Sequence, residues 1–300
     1  MTTALRPLAG TRILSLALNL PGPAALMRCQ RMGATCVKLE PPAGDPMGVY
    51  DPAAYAQLHH GIAVHQADLK TDAGQKVLHG ELARAHVLLT SFRPSALDKL
   101  GLAWRQLHAR YPSLSQVAIV GGRGEQAEAP GHDLTYLAEH GLVTGTDLPA
   151  TLYADMGGSL MASEAVLQAA LQQSERYAGT GEPHPRGHYI EVALADAAAY
   201  LALPREWGLT QPRGAVGGAH AGYRVYQCRD GRAAVAALEP HFAASLCAVA
   251  GVAASDIRAM FAPATHQALA AFFGARTRAE LDRLAREHDL PIHTLAPAAA

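Results

Sequence analysis

Short apolar runs alternate with segments of helical period through the first 120 residues of the chain. Residues 12–18 (RILSLAL) and 35–39 (TCVKL) read as strands, as do 86–90 (HVLLT) and 117–120. Between the first two, Pro23 sits where a helix opens, and apolar positions recur at helical spacing over 24–32. Asp72 is placed to cap a helix running to residue 84, and 95–100 makes a helical turn or two. Residues 40–47 (EPPAGDPM) and 121–131 carry Pro, Gly and charge without periodicity, and read as loops. Strands parted by helices pair in parallel, because each crossover returns the chain to the same edge. The pattern therefore predicts an α/β fold with a doubly wound parallel sheet.

A different grammar follows. Residues 156–176 form a long Ala/Leu helix, and 189–194 (YIEVAL) a strand running into another Ala-rich helix. Residues 210–222, rich in Gly and Pro, read as a linker or loop. Asp230-Gly231 between the apolar runs 223–228 and 233–238 signals a hairpin. Helices at 240–250, 266–273 and 278–288 and a last strand at 291–295 complete the chain. The reading is a large α/β domain over 1–185 and a smaller α+β domain over 186–300.

Composition narrows the function. A chain of 300 residues that is 49% hydrophobic can bury a large core, and its net charge of −1 offers no basic face for nucleic acid. The first apolar run ends at Pro21-Gly22-Pro23, too short to span a bilayer, so it reads as a buried strand and no membrane segment is expected. The four cysteines lack CxxC spacing and read as isolated thiols of a cytoplasmic protein. After the first strand the GxGxxG pattern is absent, with Pro23 and Ala24 where glycines would approach a pyrophosphate. No GxxxxGK[ST] loop and no GxSxG elbow occurs. His59-His60, His184 and His188 invite a metal reading, but neighbours on an extended segment point oppositely and no HExxH spacing occurs, so no metal is expected.

Three segments place ionisable residues where loops meet helices or strands: Gly131-His132-Asp133, Ala154-Asp155-Met156-Gly157-Gly158 and Ala237-Leu238-Glu239-Pro240. Each has a purely structural explanation. Asp155 before a helix is a good N-cap, Glu239 with Pro240 suits a helix dipole, and His132 fits a surface loop.

Taken in order with the rest of the chain, however, they resemble one family. Gly10-Thr11-Arg12-Ile13-Leu14, Pro21-Gly22-Pro23, Gly33 through Pro42 (GATCVKLEPP), Gly44-Asp45-Pro46, Ala67-Asp68-Leu69-Lys70, Ser91-Phe92-Arg93-Pro94 and Leu97 through Leu102 (LDKLGL) follow its opening. Tyr223-Arg224-Val225-Tyr226 joins the three later segments. The chain is similar along nearly its whole length to class III CoA-transferases of CaiB/BaiF type, with α-methylacyl-CoA racemases the best match.

That resemblance implies a Rossmann-like large domain, an acyl-CoA thioester as substrate, no permanently bound cofactor, and an interlocked homodimer. It implies that Asp155 is the shared catalytic aspartate and that His132, oriented by Glu239, is a second acid/base group on the opposite face of the α-carbon. The backbone N–H of Asp155 would then donate to the enolate oxygen. Positions matching the family's CoA contacts are Asn19, Leu20, Pro21, Leu58, Ser91, Phe92 and Lys99. The presence of both His132 and Glu239 favours an epimerase acting on 2-methylacyl-CoA. A CoA transferase using Asp155 as nucleophile and a non-catalytic acyl-CoA-binding paralogue are the alternatives.

The resemblance departs from the family in three places. A basic Leu-Asn-Arg-Gly-Lys-Arg type segment becomes Leu58-His59-His60-Gly61-Ile62-Ala63, without its cations, and the usual Asn before Phe92 is Ser91. The C-terminal segment with which family members return to the first domain has no match here.

Overall fold

The computed structural model describes residues 5–179, 186–253 and 257–298, in two compact units dividing between Ala202 and Leu203. In the first, β1 (Arg12–Ser15) leads into α1 (Pro21–Arg31), β2 (Thr35–Glu40) into the short helices α2 (Met47–Tyr50) and α3 (Pro52–Leu58), and β3 (Ala63–Gln66) into α4 (Asp72–Leu82). β4 (Val87–Thr90) precedes α5 (Pro94–Lys99) and α6 (Trp104–Arg110). β5 (Ser115–Val120) precedes α7 (Asp133–Glu139) and α8 (Tyr153–Gly179), and β6 (Tyr189–Ala193) runs into α9 (Leu194–Glu206).

The six strands form one parallel sheet in the order β3-β2-β1-β4-β5-β6. This is the doubly wound sheet that the alternation predicts. Period-two side-chain alternation feeds two cores. Ile13, Val87, Leu89, Val117 and Ile119 pack with Leu26 of α1 and Ala162 and Val166 of α8. Leu14, Val37 and Leu88 pack with Leu78 and Leu82 of α4 and Leu107 of α6. The chain leaves β1 toward one edge and returns at β4 toward the other, so the loops after these two neighbouring strands diverge and leave a crevice at their carboxyl ends.

Three boundaries differ from the sequence reading. β6 pairs with β5 from Gln116↔Tyr189 to Val120↔Ala193, so the large unit continues past 185 and includes a strand assigned to the small domain. The α4 cap is Thr71 rather than Asp72: its Oγ1 accepts the Gly74 N–H at 3.1 Å. α8 begins at Tyr153, which puts Asp155 inside the first turn and not at the cap.

The second unit pairs β7 (Tyr223–Cys228), β8 (Gly231–Ala236) and β9 (Ile292–Leu295) into an antiparallel sheet, with helices α10 (Pro240–Ala250), α11 (Pro263–Gly274) and α12 (Arg278–Glu287). Cys228 pairs with Gly231, so the hairpin turns on Arg229-Asp230. Its core stacks Tyr226 on Phe273, centroids 4.7 Å apart, among Leu246, Leu269 and Leu281. Among the described residues no helix is long and apolar enough to cross a membrane.

Candidate active site

The site begins at two helix starts in the large unit. His132 occupies the cap position of α7, where its N–H donates to Thr135 Oγ1 (3.0 Å) and its carbonyl accepts the Thr135 hydroxyl (2.7 Å). This reciprocal pair fixes the backbone of an otherwise exposed histidine. The next residue, Asp133, is 5% exposed, and its Oδ1 accepts the backbone N–H of Asp155 at 3.0 Å. A buried carboxylate thus ties the start of α8 to the start of α7. It also occupies the N–H that the sequence reading offered to an enolate oxygen, and that expectation is corrected here.

Asp155 is half-buried. Burial first, and the Asp133 carboxylate second, push its carboxyl up from 3.8 to about 6, against the pull of nearby His132. A second carboxylate beside it makes the anion costly, and the Asp155 carboxyl, raised toward neutral pH, stands within the field of His132.

Glycines shape the walls. A Cβ on Gly158 would lie 2.3 Å from Leu194 Cδ2, and one on Gly157 would lie 3.3 Å from Ala197 Cβ, so the Gly157-Gly158 pair lets α9 approach α8. Cβ atoms on Gly121 and Gly131 would meet the Tyr136 hydroxyl at 2.4 and 2.5 Å, and these two glycines make room for that ring. Burial and the Asp155 charge both raise the Tyr136 pKa, and the same two causes, together with Asp45 and Asp51, raise that of Tyr50. Both tyrosines therefore lie within the field of Asp155.

The residues matched to CoA contacts gather at the switch point. Asn19, Leu20 and Pro21 follow β1, and Ser91 and Phe92 follow β4. The Leu18 N–H donates to Ser91 Oγ at 3.2 Å and joins the two loops. Asn19 is exposed with a left-handed φ of 63°. Phe92 packs partly on the α4/α6-side core, and exposed Lys99 ends α5. Leu58 is different. Its side chain is buried against Ala24 and Met47, with Leu20 packed on them, so it supports the β1 turn from inside. Glu239 lies in the second unit, exposed at the cap position of α10 without a side-chain cap bond.

One cluster went unassigned in the sequence. Lys38 is fully buried in β2, with Nζ 2.5 Å from Asp45 Oδ2, 2.8 Å from His59 Nε2 and 3.1 Å from Glu40 Oε1. Glu40, Asp45 and His59 have the mutual spacing of metal ligands, but the Lys38 ammonium stands among them and supplies the cation. The signal was a lysine among Cys36, Val37 and Leu39 in a strand of the sheet, which demands buried partners. His184 falls outside the described residues. Cys29, Cys36 and Cys247 are buried free thiols, and Cys228 is half-buried.

In open parallel sheets of this kind ligands bind at the crevice of the switch point. Comparison with known proteins gives the family: the chain belongs to CoA-transferase family III, whose sequence profile matches residues 8–300. It is 33% identical over 151 residues to a cinnamoyl-CoA:phenyllactate CoA-transferase of Clostridium sporogenes, covering 46% of this chain and 37% of that one. It is 29% identical over 295 residues to the α-methylacyl-CoA racemase of Mus musculus, covering 91% and 73%. The chain thus spans well under half of that transferase's length and about three quarters of the racemase's. The fold matches the crystal structure of a hypothetical protein from Mycobacterium tuberculosis with a TM-score of 0.82 at 23% identity, over 99% of this chain and 86% of that one. The family acts on CoA thioesters, and its members carry both racemase and transferase names.

Proposed function

We propose that this chain is an acyl-CoA epimerase of the α-methylacyl-CoA racemase type, removing the α-proton of a 2-methylacyl-CoA from one face and returning it from the other. The observation that carries this reading is the pairing of Asp155, with a carboxyl at about 6, and His132 on adjoining helix starts. Epimerisation needs two groups that exchange roles, one protonated and one not, and a carboxyl with this pKa serves either role near neutral pH. In one direction Asp155 takes the proton and His132 delivers one; in the other they reverse. Glu239, in the second unit, is assigned as a supporting residue of the same proton transfer. The enolate carries negative charge at its oxygen, and the α8 N-terminal dipole favours that charge. The acyl-CoA thioester is assigned to the crevice along Asn19, Leu20, Pro21, Ser91, Phe92 and Lys99. The working assembly is assigned as an interlocked homodimer, a mass that light scattering would read directly.

A second reading deserves its own assay, because the Clostridium sporogenes relative is named a CoA-transferase. There Asp155 would attack the thioester as a carboxylate, giving an enzyme-bound acyl species that hydroxylamine traps. The test is α-proton exchange of 2-methylacyl-CoA in D₂O, followed by NMR. Deuterium uptake without CoA transfer is expected, lowered about 10²–10⁴-fold by Asp155→Asn or His132→Ala. Wild-type exchange in both variants, or hydroxylamine trapping without exchange, would overturn the epimerase.

A further inference from the structure

We propose that His59 is a positioning residue: through Lys38 and Asp45 it holds the left-handed turn at Asn19 that ends β1 and forms one wall of the acyl-CoA site. The importance of that wall rests on the acyl-CoA reading above. The chain of contacts itself does not.

The argument starts from a buried ammonium. Lys38 has three N–H bonds and no exposed surface, so each proton needs an acceptor within the protein. Asp45, Glu40 and His59 provide three, at 2.5, 3.1 and 2.8 Å. His59 Nδ1 lies 2.7 Å from the Tyr55 carbonyl, which only accepts, so Nδ1 carries the proton and Nε2 presents a lone pair to Lys38. His59 is therefore neutral and its tautomer is set. Burial and the Lys38 charge hold its pKa below the usual histidine range, although the Tyr55 carbonyl, Glu40 and Asp45 pull the other way. The Tyr55 ring, 4.2 Å from the imidazole centroid, closes the remaining side.

Asp45 passes the constraint on. Its Oδ2 meets Lys38, while its carboxylate accepts the N–H of Asn19 (3.0 and 3.2 Å) and of Met47 (3.0 Å). Asn19 adopts φ 63°, a conformation that residues with a Cβ rarely adopt and that persists where neighbours over-determine it. The Asn19 side chain in turn lies 3.5 Å from the hydroxyl of Tyr50, which stands in the field of Asp155. His59 belongs to the segment where the sequence has lost the family's basic residues. Its side chain faces inward, and exposed His60 is the one that faces solvent.

The experiment compares wild type with His59→Leu, His59→Gln and, as a surface control, His60→Ala. Glutamine offers an oxygen near the Nε2 position and leucine offers nothing. The first readout is amide hydrogen exchange, which needs no substrate. His59→Leu is expected to speed exchange at Asn19 and Met47 by about tenfold or more while Val117 and Ile119 stay protected, and His59→Gln to restore most of it. The second is calorimetric binding of CoA, expected to weaken about tenfold in His59→Leu, with KM rising while kcat changes little. If His59→Leu does not fold, wild type still answers. Acid titration from about pH 7.5 to well below the usual histidine range protonates His59 against Lys38, so corrected exchange at Asn19 should rise in wild type and rise less in His59→Gln. Unchanged Asn19 exchange in both comparisons overturns the positioning role. Changed exchange in a wild-type protein that binds no CoA leaves the network standing and overturns its assignment to an acyl-CoA site.

Discussion

Asp155→Asn should make this protein more stable, and only at neutral to alkaline pH. The folded carboxyl titrates at about 6 against 3.8 for the free group, because folding removes it from water and sets it beside Asp133. The folded state therefore holds its proton more tightly than the unfolded state. The contribution of this carboxyl to stability is greatest below about pH 4 and is lost as the pH rises through the window from 3.8 to about 6. A shift of about two units corresponds to about 3 kcal/mol, and partial exposure of the carboxyl cuts this to roughly 1–2 kcal/mol. Asparagine has no such loss, and its main-chain N–H still reaches Asp133 Oδ1, so the tie between α7 and α8 is kept. For a unit of this size the gain is about 2–8 °C in Tm, appearing between pH 4 and pH 7 and then constant. Differential scanning fluorimetry of both proteins across that range measures it. A Tm difference independent of pH, or a wild type more stable than Asp155→Asn at pH 8, would refute the reasoning. Asp133→Asn is the companion variant. It keeps an acceptor for the Asp155 N–H but removes the like charge, so the acid limb of the exchange–pH profile should move down by only part of the shift, burial being the larger cause.

Three further outcomes follow from the packing. Lys38→Met leaves Glu40 and Asp45 buried without their cation and should cost about 3–5 kcal/mol in urea unfolding at pH 7.5. Gly158→Ala drives a methyl to within 2.3 Å of Leu194 Cδ2 and should lower stability by about 1–3 kcal/mol, while Gly157→Ala, with 3.3 Å to its nearest neighbours, should cost less; Tm values rank them. Burial pushes the Cys29 and Cys36 thiols up to about 12, so a thiol-specific chromophore should label Cys228 first in the native protein and reach Cys29 and Cys36 only after denaturation.

The parts of the fold that could be read in advance were those where one strand declares itself. VLLT and SQVAIV are largely apolar and buried throughout because helices cover both faces of the sheet. AVHQ, an exposed edge strand, carries no such run and was not read as β3. β6 was recognised as a strand but assigned to the wrong unit, since parallel pairing with a partner some seventy residues earlier leaves no local mark. Asp155 looked like a cap because aspartate suits that position. The helix starts at Tyr153 instead, and the buried carboxylate that holds its first turn comes from Asp133, a residue distant in sequence.

The candidate site follows the same physics. Family spacing pointed to His132 and Asp155, and the fold brings them together; it could not say that the aspartate after His132 would consume the N–H meant for an enolate. Nor could it say what Lys38, Glu40 and Asp45 are for. A segment such as VKLEPPAGDP reads as a strand and a loop, and each of its charges looks solvated until the fold closes over Lys38. Once it does, desolvation makes every one of those charges dependent on the others, and a neutral histidine becomes a needed acceptor. His59 is where that dependence can be seen: along the sequence it is one of two adjacent histidines, and in the fold it is the third acceptor of a buried lysine.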